Sequence, residues 1–148
     1  MIEPLRISFE LRCDPDHAFR TWTERASVWW PWQHTVSQED GAAIVFEPAA
    51  GGRIFERTAG GREIAWGKIT AWEPPQRLAY LWHIAADPAD ATDVEIVFTE
   101  LAGGGTLVEI EHGGWDRLAE RGQPWRDANR AGWDGVLPAF IAGCARLR

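Results

Sequence analysis

The fold is decided by residues 122–147, whose sequence is GQPWRDANRAGWDGVLPAFIAGCARL. Apolar side chains recur there at intervals of three and four residues, which is the period of an amphipathic helix with one buried face. The apolar positions of this stripe are Trp125, Ala128, Trp133, Val136, Leu137, Phe140, Ile141, Cys144 and Leu147. Pro124 suits the first turn, where a missing N–H breaks no hydrogen bond. Pro138 lies inside the stripe and removes the bond to residue 134, so the sequence predicts a kink or a break between Asp134 and Pro138.

Short strands separated by glycine and proline turns precede this helix. The sequence predicts them at residues 43–47, 53–58, 62–72, 77–84, 94–99 and 106–112. Glycines at 51–52, 60–61 and 103–105 favour tight turns between neighbouring strands. Pro74 and Pro75 stop one strand, because a proline cannot donate a ladder hydrogen bond. This pattern is typical of an antiparallel meander.

Another strand and two short helices are predicted at the start of the chain. Residues 5–11 alternate apolar and polar side chains with the period of a half-buried strand. Asp14 is a suitable N-cap for a helix that begins at Pro15, since its carboxylate can accept from a free backbone N–H. Pro31 cannot continue a regular helix, so the second short helix should end near Trp30.

The order of these elements predicts an α+β protein with a single domain over residues 1–148. A strand, two short helices, six strands and a long helix would give a strongly bent antiparallel sheet of six to seven strands wrapped around the C-terminal helix. One helix cannot fill the concave side of such a sheet completely. We therefore expect a cavity between the helix and the sheet.

Charge and cysteine content exclude several classes of partner. A formal net charge of -7 with scattered arginines disfavours nucleic acid, because phosphates would be repelled. No segment approaches the ~18 apolar residues of a membrane span, and the first residues lack a signal-peptide pattern. We expect a cytoplasmic protein that does not bind membranes.

Cys13 and Cys144 lack CxxC spacing and are predicted to be thiols, although their positions do not forbid a bridge.

Tryptophan is the unusual component, with 10 copies in the chain. Two explanations stay open: core packing combined with compositional drift, or indoles that line a cavity. The predicted cavity wall consists of Trp22, Trp66, Trp82 and Trp133, with Trp29 and Trp30 at its mouth. Trp72, Trp115 and Trp125 are predicted to cap the ends of elements.

Six short motifs follow one another over almost the whole chain. They are Pro15-Asp16-His17-Ala18-Phe19 with Trp22-Thr23, then Trp29-Trp30-Pro31, Gly51-Gly52-Arg53, Trp66-Gly67-Lys68-Ile69 with Glu73-Pro74-Pro75-Gln76-Arg77-Leu78, Gly105-Thr106-Leu107-Val108 with His112, and Gly132-Trp133. In this order they resemble the START-like (SRPBCC) superfamily, and within it the bacterial homologues of the C-terminal domain of the heat-shock protein 90 ATPase activator. The resemblance implies a helix-grip fold with a ligand-holding cavity. Because that family spans binding proteins, co-chaperone domains and enzymes, the fold alone does not select a function.

Inward strand phases and the helix stripe give the expected lining of the cavity. It comprises Trp22, Trp29, Trp30, Phe46, Phe55, Trp66, Tyr80, Trp82, Ile96, Phe98, Val108, Ile110, His112, Trp133, Val136, Leu137 and Phe140. A wall of this composition suits a small hydrophobic or aromatic molecule. Arg53 and Arg57 share a face with Phe55, so they either reach a ligand carboxylate or pair with surface acids on the outer face.

His112 is the weak candidate for a catalytic residue. Strand alternation places it on the inward face with Val108 and Ile110, where a neutral imidazole could bind a ligand or act as a general base. The alternative is an internally satisfied core histidine. We find no HxxxH or HxH spacing and no nucleotide-binding or nucleophile motif, so neither a metal nor a cofactor is expected.

Three functional hypotheses follow from the residues and the resemblance. The first is a binding protein for a small hydrophobic molecule, and the second is a stress-response module that contacts a chaperone. The third is a cyclase or hydratase that uses His112. A fully packed interior would favour the chaperone module, and an open pocket of about 300 Å³ or more would favour ligand binding. Monomer and homodimer both stay open.

Overall fold

The computed structural model describes residues 1–147. Seven strands and three α-helices follow in the order β1 (Leu5–Leu11), α1 (Pro15–Thr23), α2 (Ala26–Trp29), β2 (Ala43–Phe46), β3 (Arg53–Arg57), β4 (Glu63–Glu73), β5 (Arg77–Trp82), β6 (Thr92–Glu100), β7 (Thr106–Gly113) and α3 (Gly122–Arg146). Short 3₁₀ turns lie at Trp32–His34, Pro88–Asp90 and Trp115–Arg121.

The strands form one antiparallel sheet with the spatial order β1-β7-β6-β5-β4-β3-β2. Each of β2 to β7 pairs with its sequence neighbour, and β1 joins the far edge through β7. The sheet is not closed, and α3 packs beside α1, α2 and β1. This arrangement confirms the predicted helix-grip α+β fold.

Strand alternation decides which side chains face the helices. Ile96 pairs with Ile110, which pairs in turn with Ile7, so these three side chains share one face of the sheet. Ile96 and Ile110 are buried, whereas Glu109 and Glu111, in the opposite phase, are exposed. Burying an aliphatic side chain of this size stabilises the fold by roughly 1.5–3 kcal/mol.

The predicted helix signals at the start of the chain are confirmed. The Asp14 carboxylate accepts from the His17 backbone N–H at 2.8 Å and caps α1. Helix α2 ends at Trp29, before Pro31. Strand β5 ends at Trp82, earlier than predicted, because a turn in which Ala86 N–H donates to the His83 carbonyl ends the ladder there.

Of the kink or break predicted at Pro138, the break does not occur. Helix α3 runs without interruption from Gly122 to Arg146, with Pro138 inside it. Pro138 lies on the exposed side of the helix, whereas its neighbours Leu137 and Phe140 are buried. Packing on both sides of the proline therefore outweighs the single backbone hydrogen bond that the proline removes.

Two further expectations concern Trp115 and the cysteines. Trp115 lies just after the end of β7, is fully buried, and donates from Nε1 to the His112 carbonyl at 3.0 Å. Cys13 and Cys144 are both buried, and no disulfide joins them. Among the described residues, no helix is both long and apolar enough to cross a membrane.

Candidate binding pocket

An open pocket of about 250 Å³ lies beside the first half of α3. Its other walls are the segment after α2 and the turn that follows β5. The lining residues are Trp30, His34, Thr35, Val36, Trp82, Ile84, Ala85, Trp125, Ala128, Asn129, Gly132, Trp133 and Val136. Four of them are tryptophans, and none carries a formal charge when histidine is neutral. The pocket is thus an apolar aromatic site with a few polar groups.

Contacts between indoles hold the inner part of this pocket. The ring centroids of Trp30 and Trp66 are 5.1 Å apart, and those of Trp66 and Trp82 are 5.7 Å apart. Trp30 also donates from Nε1 to the His34 carbonyl at 3.2 Å. Edge-to-face and tilted aromatic pairs of this kind are worth about 0.5–1.5 kcal/mol beyond area burial. The pocket floor is therefore fixed by rings that touch one another.

Two glycines on α3 shape the helix side of the pocket. A Cβ built at Gly132 would meet no atom within 4 Å, so this position faces open space. A Cβ built at Gly135 would lie 2.4 Å from Nε2 of His34, so only glycine lets the His34 ring pack this closely on the helix. The segment after α2 therefore packs directly against α3 through His34.

His112 lies on the inward face, as strand alternation predicts, but it does not line the pocket. Trp133 Nε1 lies 3.0 Å from His112 Nδ1, and an indole N–H can only donate, so Nδ1 accepts. The ring proton is therefore on Nε2, which donates to Thr92 Oγ1 at 2.7 Å. Burial lowers the pKa of His112 to about 3. His112 is thus a neutral core group, and the expectation that it faces the cavity is wrong.

Glu56 is a fully buried carboxylate next to the pocket. It accepts from the Val36 N–H at 2.6 Å, from the Ser37 hydroxyl at 2.6 Å and from the Trp66 indole at 2.8 Å. The Ser37 N–H adds a fourth bond at 3.2 Å. Burial raises the pKa of Glu56, but the hydrogen bonds from Ser37, Trp66 and Val36 outweigh burial and hold this pKa below its usual range.

The predicted lining residues divide between pocket and core. Four of them line the pocket: Trp30, Trp82, Trp133 and Val136. The residues that lie in the packed core instead are Trp22, Trp29, Phe46, Trp66, Tyr80, Ile96, Phe98, Val108, Ile110, His112, Leu137 and Phe140. These large side chains fill the space that was expected to stay open between sheet and helix.

The expectation that Phe55 faces the cavity is wrong. The register pairs Phe55 with Val45 and places it on the outer face, whereas Ile54 points into the core. The guanidinium carbons of Arg53 and Arg57 lie 4.3 and 5.3 Å from the Phe55 ring centroid. Both arginines pair with surface acids, Arg53 with Glu47 and Glu63 and Arg57 with Glu63. The alternative of outer arginines is therefore the correct one.

Several pocket residues were not predicted. They are His34, Thr35, Val36, Ile84, Ala85, Trp125, Ala128, Asn129 and Gly132. Trp125, Ala128 and Gly132 belonged to predicted motifs, and their helical spacing of three and four from one to the next was the available signal. The loop residues carry no periodic pattern, so the sequence offered no comparable signal for them.

Comparison with known proteins places the chain among related folds. Protein MLL2253 from Mesorhizobium loti is 20% identical with a TM-score of 0.71, covers 98% of both chains, and shares the fold. An anthrahydroquino-γ-pyrone synthase, Txn09, complexed with SUM, is 31% identical with a TM-score of 0.65 over 97% of both chains. CalC from Micromonospora echinospora, a self-sacrificing resistance protein, is 26% identical with a TM-score of 0.70, over 96% of this chain and 91% of CalC.

No curated protein matches the sequence. The family model described as "Activator of Hsp90 ATPase homolog 1-like protein" matches residues 12–144, which is most of the chain. This match agrees with the seven-stranded open sheet and the long C-terminal helix. The chain therefore belongs to the Activator of Hsp90 ATPase homolog 1-like protein family.

Proposed function

We propose that this protein binds a small, uncharged aromatic molecule in the pocket beside α3. The observation that carries the proposal is an open site with four indoles, Trp30, Trp82, Trp125 and Trp133, in its walls. Indole faces bind flat rings through apolar area and stacking, and each adds one N–H donor. The absence of any Asp, Glu, Lys or Arg side chain from the described lining favours an uncharged ligand, because a buried charge there would lack a counterion.

The volume limits the size of the ligand. At about 250 Å³ the pocket is slightly smaller than the 300 Å³ set above as favouring ligand binding. Sites for drug-sized molecules occupy roughly 300–1,000 Å³. The proposed ligand is therefore compact, on the scale of two or three fused rings, and its edge reaches the open mouth.

One of the similar structures supports an aromatic ligand. The synthase that is 31% identical is named for a fused aromatic compound, and its structure is a complex with SUM. That name describes the synthase, and it supplies a chemical class to test with this chain.

A fluorescence titration tests the proposal directly. The neutral probe N-phenyl-1-naphthylamine brightens in apolar sites, and we expect saturable binding to the wild-type protein. Gly132→Phe should weaken this binding at least about tenfold, because its ring would occupy the open space next to Gly132. Gly132→Ala is the matched control and should bind like wild type. Equal binding by wild type and Gly132→Phe would place the probe elsewhere and contradict the proposal.

A chaperone-contacting module is the second candidate. The family description and the densely packed space between sheet and helix favour it. The test is stimulation of the ATPase activity of a purified heat-shock protein 90, with Gly132→Phe as a control that closes the pocket and leaves the outer surfaces unchanged. Stimulation that survives this variant would favour the chaperone role over ligand binding.

A cyclase or hydratase reaction through His112 receives no support from the geometry. Both ring nitrogens are engaged by Thr92 and Trp133, and the residue is fully buried. A general base must reach the proton that it removes, and His112 has no free nitrogen to do so.

A further inference from the structure

Glu56 connects two parts of the pocket that are far apart in sequence. It lies on β3 opposite Ile64, with its side chain on the inward face beside Ile54. Its oxygens accept four hydrogen bonds, two from backbone N–H groups, one from a hydroxyl and one from an indole. The distances range from 2.6 to 3.2 Å. A buried carboxylate is tolerated only when its lone pairs are satisfied in this way.

No cation within the described residues forms an ion pair with this carboxylate. The neighbouring Arg53 and Arg57 point to the outer face, where they pair with Glu47 and Glu63. The negative charge of Glu56 is therefore balanced by hydrogen-bond donors alone. These donors must stay in place for the charge to stay buried.

Three of the four bonds come from the pocket wall, two from the backbone N–H groups of Val36 and Ser37 and one from the Ser37 hydroxyl. Thr35 and Val36 line the pocket, and Ser37 follows them. The wall has short-range supports as well: Thr35 Oγ1 accepts from the Gln38 N–H at 2.9 Å, and Ser37 Oγ accepts from the Glu39 N–H at 3.3 Å. Glu56 supplies the bonds that tie this wall to the sheet.

The remaining bond fixes the pocket floor. Trp66 is fully buried and is held by Glu56 through its indole N–H. Its ring contacts Trp30 and Trp82, which both line the pocket. One carboxylate thus sets the position of the wall and the orientation of the floor.

We propose that Glu56 is the positioning residue of the pocket, which keeps the wall at Val36–Ser37 closed over the indole floor and thereby slows ligand release. This inference rests on the proposed binding function. Glu56→Gln keeps the size of the side chain but leaves one acceptor oxygen where four donors converge, and its amide N–H groups face other donors. The wall should then detach while the rest of the sheet stays folded.

The experiment combines hydrogen exchange with stopped-flow dissociation of N-phenyl-1-naphthylamine. In Glu56→Gln we expect exchange at the Val36 and Ser37 amides to rise about tenfold or more, with β6 and β7 still protected. Dissociation of the probe should be faster by a similar factor. Glu63→Gln is the matched control: it removes a surface carboxylate whose ion pairs among residues 1–147 are with Arg53 and Arg57, and it should change neither measurement.

The outcomes separate this inference from the proposed function. If the wild-type protein does not bind the probe, the proposed function fails and this inference fails with it. If the wild type binds, and Glu56→Gln retains both the amide protection and the dissociation rate within twofold, Glu56 has no positioning role. Should Glu56→Gln not fold, Ser37→Ala decides. It removes the hydroxyl that donates to Glu56, together with the longer bond that this hydroxyl accepts from the Glu39 N–H. It should still speed dissociation, whereas an unchanged rate overturns the inference.

Discussion

At the scale of single residues, His112 is a titratable group that the fold keeps neutral. Its Nδ1 must stay unprotonated to accept from Trp133, and its Nε2–H donates to Thr92. Protonation would place an N–H opposite the indole N–H and break one of these bonds. The pKa near 3 is therefore tied to packing, and it makes the stability of the protein depend on pH.

We expect the free energy of unfolding to fall as the pH drops below about 6.5, the ordinary pKa of histidine. Because the folded pKa of His112 is depressed, the unfolded chain binds this proton first, and stability is lost progressively until the pH reaches the folded pKa. The slope contributed by His112 is about 1.4 kcal/mol per pH unit. Urea unfolding between about pH 5 and pH 7 measures it, above the range in which carboxylates titrate.

His112→Phe removes the titrating group and should flatten this slope. It also leaves one buried donor, the Trp133 indole N–H, and one buried acceptor, Thr92 Oγ1, without their partner, so the unfolding free energy at pH 7 should drop by about 2–4 kcal/mol. Ile96→Val, which alters a buried aliphatic side chain and no titrating group, serves as the control and should keep the wild-type slope. A slope that survives His112→Phe would assign the pH dependence to another group.

Sequence reasoning reached only part of this residue-level chemistry. Alternation along β7 correctly predicted the inward phase of His112, since it needs only the period of two. Its partners Thr92 and Trp133 lie 20 and 21 residues away, on other elements, and no local pattern joins them. Glu56 had a signal that was overlooked: a carboxylate in phase with the buried Ile54 predicts an internal acceptor.

At the scale of elements, α3 shows tertiary packing overriding a local helix breaker. Pro138 removes one backbone bond and crowds the carbonyl of Asp134, which costs about 3 kcal/mol in a helix interior. The helix continues because Leu137 and Phe140 are buried and because Trp29 packs against Gly143, where a Cβ would lie 2.8 Å from Trp29 Cβ. The helix therefore contains a local destabilisation that a substitution can relieve.

Pro138→Ala should raise the free energy of unfolding by about 1–2 kcal/mol. The alanine restores the N–H donor to the Asp134 carbonyl, and the gain is reduced because proline also restricts the unfolded chain. Pro124→Ala is the control, since Pro124 lies in the first turn of α3 where the N–H has no helical partner, and it should change stability by less than about 0.5 kcal/mol. Chemical denaturation of both variants measures the difference. If Pro138→Ala has the same free energy of unfolding as wild type, the proline does not destabilise the helix.

The elements themselves were largely predictable. Strand periods and turn glycines located β1 to β7, and Asp14 and Pro31 correctly bounded the first two helices. The error at Pro138 arose because a local rule was applied where burial on both sides decides the outcome. Strand phase was equally misjudged at Phe55, whose apolar ring is covered on the outer face by Arg53 and Arg57 instead of by the core.

At the scale of the whole molecule, tryptophan side chains fill much of the interior and also line the pocket beside α3. Seven of the ten tryptophans are buried: Trp22, Trp29, Trp30, Trp66, Trp82, Trp115 and Trp133. Most of these seven pack the core, and three of them also line the pocket. The volume of the pocket was not predictable, because it depends on loops after α2 and β5 that carry no periodic signal.

This division between core and pocket predicts that stability and binding can be changed separately. Ile96→Val removes one methylene from a fully buried site away from the pocket and should lower the unfolding free energy by about 0.5–1.5 kcal/mol, with probe affinity unchanged within twofold. Trp125→Ala removes a partly buried indole of the pocket wall and should weaken N-phenyl-1-naphthylamine binding about tenfold, since a lost aromatic contact is worth about 0.5–1.5 kcal/mol before area burial is added. Calorimetric titration and urea unfolding on the same two variants check both halves. If Ile96→Val weakened binding as much as Trp125→Ala, the pocket and the core would not be separate. The binding site would then extend from the pocket to the buried face of the sheet at Ile96.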